Sequence, residues 1–266
     1  MNAAFDVGAD DGFHGIMFAF MNPKVKVFAF EPIRGSKSKI IKNLRKIEKF
    51  FKLKIKNYKI INTAISDFNG THIFYETDYG VASSLLKPEK KLNKFWEDTT
   101  DHLFKTVVKG TKTKKRYKVK VLTLEKFCKT NSIKIINYLH VDAQGHDLRV
   151  IKGLKGFKKN LIEGVAEVPS DNKFKFYKKE QSYKDLKKKF KIWKFKITTV
   201  EEIQKNFPYY NVYFKNENIE TNKQNKINFE YPPKRIQRMF KRIFFDKISW
   251  KDYIYYFFWK FKTNII

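Results

Sequence analysis

The sequence predicts an α/β fold: a mostly parallel, doubly wound sheet with a terminal antiparallel strand pair, followed by a helical C-terminal tail. Three observations predict it. Short apolar runs of strand length alternate with longer amphipathic stretches between Ala3 and Val168, the pattern of parallel strands joined by helical crossovers. A glycine turn, FDVGADDGFHG at 5–15, links the first run to the first helix. Late in the chain, runs at 190–200 and 209–214 follow one another with no helix between them, as an antiparallel pair would.

Residues 3–7 are the first strand and 13–20 the first helix. A second strand, 25–30, ends in Glu31-Pro32, and Ser36 or Ser38 caps a long basic helix that runs to Phe51. Residues 59–65 are a third strand, and the turn DFNG at 67–70 opens a hairpin through 71–76. The middle, 77–116, is irregular. Its last part runs into KGTKTKKRYKVK at 109–120, whose seven Lys and Arg suit a solvated loop or an edge strand. A short helix follows at 123–130, then a fourth core strand at 135–142, a helix at 146–154 and a fifth strand at 161–168. A lysine-rich helix at 178–189 precedes the terminal pair. The predicted units are a catalytic-type domain at 1–216, a polar linker at 217–229 and a basic aromatic tail at 230–266.

A chain of 266 residues that is 42% apolar and 17% aromatic can bury a core, which excludes a disordered protein. The net charge of +30, from 57 basic against 27 acidic residues, attracts anionic membranes, acidic glycans and nucleic acids. Only seven of those basic residues are arginine, which suits either the Lys/Asn/Ile/Phe bias of an AT-rich genome or selection for an anionic partner. The single cysteine, Cys128, excludes an internal disulfide and suits a reducing compartment. Met1 stands just before the first strand, with no room for a signal peptide, and the apolar run at 253–259 is too short to span a bilayer. A cytoplasmic protein is expected, peripheral on a membrane if the tail binds there.

The glycine turn poses a charge question. Its spacing, Gly8-Ala-Asp-Asp-Gly12, fails the dinucleotide pattern G-x-G-x-x-G, and no Gly-Lys-Ser/Thr is present for a phosphate loop. Asp6, Asp10 and Asp11 would repel a pyrophosphate. S-adenosylmethionine carries a sulfonium and an ammonium against one carboxylate and no phosphate, so carboxylates at the turn suit it. Glu31, ending the second strand, is placed to accept two ribose hydroxyls.

These segments together resemble the FkbM-type family of S-adenosylmethionine-dependent methyltransferases. The likeness is carried by FDVGADDG, FAFEP at 28–32, NTAISDFNG after the third strand, ASSL at 82–85, VLTLEKF at 121–127 and YLHVDAQGHDLRVIKGL at 138–154. The departures from the family pattern are Asp11 for Asn, His140 for Lys, Gln144 for Glu, and His146-Asp147 for a small residue plus Glu. The resemblance implies a Rossmann-like class I methyltransferase with S-adenosylmethionine as cofactor. It implies that Asp6, Gly8, Ala9 and Gly12 form the turn at the methionine end and that Glu31 holds the ribose. It further implies that Ala64 and Ile65 flank the adenine, that Asp142 faces the methyl-transfer zone, and that the acceptor is a hydroxyl of a glycan or glycolipid.

Methyl transfer to an alcohol needs a base, and the candidates are Asp142, His146 and His14. Glu167, ending the fifth strand at the same rim, is a candidate acceptor contact, and Ser83 and Ser84 belong to a loop that would close over the site. No His/Cys cluster has metal-ligand spacing, and nothing in the placing of Asp142 and Glu167 requires a metal. An RNA acceptor, favoured by charge alone, is the alternative enzyme reading. A degenerate methyltransferase fold that only binds glycan or membrane is the other. In the tail, Ile236, Met239, Phe240 and Ile243 fall on one helical side, opposite Arg235, Arg238, Lys241 and Arg242. That stripe fits an interfacial helix on an anionic membrane, a helix docked on its own domain or in a dimer, or, less well, nucleic-acid binding.

Overall fold

The computed structural model describes residues 1–78, 80, 82–89, 112–205, 207–219 and 229–249. The expectations that fall on 90–111, on 220–228 of the linker and on 250–266 of the tail lie outside the described residues.

Five parallel strands build the central sheet: β1 (Asn2–Val7), β2 (Lys26–Phe30), β3 (Tyr58–Ile61), β7 (Ile135–Val141) and β8 (Leu161–Pro169). The antiparallel β10 (Tyr209–Asn216) pairs with β8, and β9 (Phe195–Glu202) pairs with β10, giving the order β3-β2-β1-β7-β8-β10-β9. The order reverses between β1 and β7, which opens a crevice at their carboxyl ends. Side chains alternate across the sheet. Phe5, Phe28 and Phe30 face one layer with α3 (Leu124–Thr130), α4 (Asp147–Lys152) and α5 (Tyr183–Trp193). Ala4, Val27 and Ala29 face the other, with α1 (Phe13–Met21), α2 (Ser36–Phe51) and α6 (Lys234–Phe244).

Several expectations need correction. The 59–65 run is two strands, because the Asn62 side chain donates to the Glu31 carbonyl at 2.8 Å and the chain turns there. Ala64–Ile65 becomes β4, which leaves the main sheet for a three-stranded one whose order is β4, then β6 (Thr113–Leu122), then β5 (Gly70–Thr77). β5 does not fold back on its neighbour; it pairs with the distant β6. The lysine run therefore supplies a central strand of that small sheet. Val119 and Val121 point inward, while Lys118 and Lys120 point to water. Glycine in the left-handed conformation, Gly35, stands at the start of α2 where a serine cap was expected. α5 starts later than the lysines suggest, at a capping box between Ser182 and Asp185, and it runs through Trp193 because Leu186 and Phe190 reach the core one turn apart.

The tail helix has its apolar stripe inside the protein. Ile236, Met239, Phe240, Ile243 and Phe244 are buried against α1 and α2. The partner explains this, since α1 (FHGIMFAFM) is buried on every side from Gly15 to Met21 and so needs cover beyond the sheet. Asn22 fastens the approach: it donates to Glu230 O at 3.1 Å and accepts from Glu230 N at 2.7 Å. Among the described residues no helix is long and apolar enough to cross a membrane. Phe240→Ala, at a side chain with no exposure, should lower the unfolding free energy by about 3–5 kcal/mol in chemical denaturation. Phe245→Ala, one step outside the stripe and 60% exposed, should change it by less than about 0.5 kcal/mol.

Candidate active site

The site begins where β1 stops. Val7 O accepts Asp142 N–H at 2.9 Å, while Gly8 and Ala9 N–H return to Phe30 O at 3.0 and 3.2 Å. The turn is thereby fastened to the ends of both neighbouring strands. Gly8 has φ +84, and a Cβ there would collide with the Asp142 carbonyl oxygen. Gly12, at φ +86, leads into α1 with room for only a hydrogen against Ile40 Cγ2, 2.8 Å from where a Cβ would sit.

The three aspartates of the turn have separate duties. Asp6 is buried at 1% exposure; its Oδ2 accepts Gly15 N–H at 2.8 Å and its Oδ1 lies 2.9 Å from His140 Nδ1. Burial opposes its charge, but the His140 bond and charge and the Gly15 N–H outweigh it and hold the carboxyl below its usual value. Asp10 pairs with Lys39 at 3.1 Å, and its N–H donates to Glu31 Oε2 at 2.8 Å. Asp11 Oδ1 accepts Phe13 N–H at 3.0 Å, at the first turn of α1.

A cavity opens over this turn. Gly8, Asp10, Glu31, Ala64, Ile65 and Asp142 line it, and Ser83 and His146 also face it. The sequence therefore brings most of its candidates to one place. Asp6, Ala9 and Gly12 build the turn from behind and do not line the cavity, and Glu167 lies off it on β8. His14 is away from it too, buried on α1 and stacked on His140 with ring centroids 4.1 Å apart. Ile33, Thr63 and Phe74 line the cavity without having been singled out, and so does Gln144, noted only as a departure from the family pattern. Ile33 could have been found as the residue beyond Glu31-Pro32. Phe74 could not, because its place depends on the small sheet.

Glu31 is 4% exposed, and each oxygen accepts one backbone N–H, Oε1 from Ile33 at 2.8 Å and Oε2 from Asp10, which leaves each a second lone pair. Burial still dominates and pushes its pKa to about 7. Asp142 follows the last residue of β7. Gln144 Nε2 donates to its Oδ1 at 2.6 Å, while burial raises its pKa against the lowering effects of His140 and Gln144. Gln144 is itself held, with Tyr177 Oη 3.1 Å from its Oε1 and the Ser84 hydroxyl donating to its carbonyl at 2.8 Å. Ser83 Oγ accepts Thr77 N–H at 3.0 Å, so Ser83 ties the 82–86 segment to β5 while Ser84 ties it to the site. His146 is the residue before α4, 3% exposed, with Nε2 2.8 Å from Ser66 Oγ. Burial, and then the Arg149 charge, lower its pKa to about 3, so it is neutral at pH 7. Glu167 N–H donates to Asp147 Oδ1 at 3.1 Å, and burial followed by the Asp142 and Asp147 charges pushes the Glu167 carboxyl well up. Among the described residues no group of three or more His, Cys, Asp or Glu could hold a metal ion.

A switch-point crevice with a glycine turn after β1, an acid ending β2 and an acid ending β7 defines a Rossmann-like class I methyltransferase. The chain belongs to the FkbM methyltransferase family, whose domain, described as methyltransferase FkbM domain, matches residues 6–205. Its cofactor is S-adenosylmethionine. No curated protein matches the chain. Among solved structures it is similar to M. capricolum TrmK in complex with S-adenosyl-homocysteine. That match has 12% identity and a TM-score of 0.39 and covers 88% of this chain and 70% of that one. The cavity fits the cofactor on its own chemistry, with a buried carboxylate for ribose hydroxyls beside apolar walls from Ile33, Ile65 and Phe74.

Asp6→Ala would strand Gly15 N–H and His140 Nδ1 in the core, and should cost about 2–4 kcal/mol of stability at pH 7. Because the folded carboxyl lies below 3.8, wild-type Asp6 stabilises the fold above that pH and loses its contribution as pH falls through the lower folded value. The gap between wild type and variant in denaturant titrations should therefore close in strong acid.

Proposed function

We propose that this methyltransferase acts on a hydroxyl, that of a sugar in a glycan or glycolipid, with Asp142 as the proton acceptor. The observation that carries the hydroxyl reading is the Asp142 carboxyl at the cavity wall. It stands at the carboxyl end of β7 beside Gly8, and burial has raised its basicity. An alcohol must lose its proton as it is methylated, and a carboxylate of raised pKa accepts that proton better than an ordinary one. Gln144 Nε2 donates to Oδ1 and fixes the carboxyl, and Oδ2 would take the acceptor hydroxyl. His146 is a poorer base, with a pKa near 3 and one ring nitrogen engaged by Ser66. The sugar part of the reading rests on the family resemblance.

S-adenosylmethionine, when bound, supplies a methyl group already activated on sulfonium. The protein aligns, excludes water and takes the proton. Glu31 would hold the ribose hydroxyls, and Ala64 and Ile65, with Ile33 and Phe74, would enclose the adenine. Ser83 and Ser84 would hold the segment that borders the acceptor, and Glu167, off the cavity on β8, would act on Asp142 only through its charge. The +30 charge favours a second reading, an RNA acceptor, in which activity would fall steeply with added salt.

Asp142→Asn should lower kcat about 100-fold or more on glycan fractions methylated with labelled cofactor, with S-adenosylhomocysteine affinity kept within about threefold. In the wild type, kcat should rise with pH through a value above 3.8, as the carboxyl becomes ionised. Unchanged kcat in the Asn variant would remove Asp142 as the base.

Glu31 makes a separate binding prediction. With its pKa about 7 in the free protein, ribose hydroxyls donating to it favour the ionised form. S-adenosylhomocysteine binding at pH 6 should then release about one proton, measured by calorimetry in buffers of different ionisation enthalpy. Glu31→Gln should abolish that release.

A further inference from the structure

The inward turn of the α6 stripe leaves its other face, and that of α2, as the outer wall of the molecule. The two helices are packed together, and Lys46 of α2 joins them by donating to Phe244 O at 2.9 Å and to Asp246 at 2.7 Å. Their solvent sides adjoin and are basic. Lys42, Arg45 and Lys49 are exposed on α2, with Arg238 and Lys241 exposed on α6. The acids nearby are already matched, Glu48 with Lys54 and Asp246 with Lys46. A shallow groove on α2 is lined by Ile41 together with Lys42, Arg45 and Lys49.

A second observation lies at the end of α6. Phe245 and Ile248 are exposed at 60% and 38%, beside Lys241, Arg242 and Lys247. The sequence continues from there as WKDYIYYFFWKFK. The opposite face of the sheet is also lysine-rich, on α5, and the exposed large apolar side chain of that helix is Ile192 alone. Charge alone would suit any polyanion. Cations ringing exposed apolar side chains suit an anionic bilayer, because the headgroups meet the cations while the acyl boundary receives the apolar groups. A phosphodiester backbone offers no such apolar layer.

We propose that the joined outer faces of α2 and α6 are a docking surface for an anionic lipid bilayer, with Phe245 and Ile248 entering the headgroup–acyl boundary. The surface reaches the active site, since Lys39 in the first turn of α2 pairs with Asp10 at the cavity wall. A bilayer seated there lies next to the cavity. This inference stands apart from the identity of the acceptor.

The test is flotation of the full chain with phosphatidylcholine vesicles containing phosphatidylglycerol, against phosphatidylcholine alone. Wild type should float with the first and not with the second. Reversal at Lys42→Glu, Arg45→Glu and Lys49→Glu should weaken the partition at least about tenfold. Reversal at Lys184→Glu, Lys188→Glu and Lys191→Glu on α5, an equal change of net charge, should weaken it much less. Phe245→Ser with Ile248→Ser should remove the binding that survives added salt. All eight side chains are exposed, so circular dichroism and S-adenosylhomocysteine affinity should be unchanged in each variant. Equal loss from the α2 and α5 reversals would overturn the proposal in favour of net charge. Failure of wild type to float would overturn it outright, and capture of single-stranded RNA by the α2 face without flotation would make the surface a nucleic-acid one.

Discussion

Asp6 is a carboxylate almost without solvent, and three elements meet on it. It is the next-to-last residue of β1, holds the first turn of α1 through Gly15 N–H, and binds His140 on β7. A buried charge of this kind is tolerable only when fully bonded, so the carboxylate dictates how α1 leaves the sheet and how β7 lies beside β1. The close approach of Gly8 to the Asp142 carbonyl follows from that arrangement, and the cavity opens over it. What looked in the sequence like charge aimed at a ligand is thus divided. Asp6 works behind the turn, Asp10 and Asp11 serve Lys39 and α1, and the acids that line the cavity are Asp10, Glu31 and Asp142.

Glu31 and Asp142 are tuned by burial more than by partners. Glu31 and Asp142 both have raised pKa values, whereas Asp6 is held down by its bonds. Proton affinity is thereby high at the two cavity carboxyls, Glu31 and Asp142, and low at Asp6, the carboxyl behind the turn that binds β1, α1 and β7 together. His146 is quieted by the same desolvation and serves the contact with Ser66.

Most of the main sheet is legible in the sequence, because period and turn chemistry are local. FDVGADDG, FAFEP and the run at 135–142 announce strands ending in functional loops, and the structure brings their carboxyl ends together. What is not legible depends on side chains reaching across the fold. One amide, Asn62 on Glu31 O, converts an apparent seven-residue strand into two strands of different sheets. The pairing of β5 with β6 bridges a long interval, so the hairpin signal at DFNG points to the wrong neighbour. The α6 stripe shows amphipathicity without naming what covers it. The answer was present at the other end of the chain, in an α1 that has no polar side to give to water.

That cover comes from far along the chain. α1 is complete at Met21, and the helix that closes over it ends at Phe244. At roughly 5–20 residues per second of synthesis, the apolar outer side of α1 waits on the order of ten to forty seconds before α6 has been made. During that interval the nascent sheet carries an open apolar seam, so the protein is most exposed to aggregation while its fold is nearly built. The last helix among the described residues is then the step that seals the first.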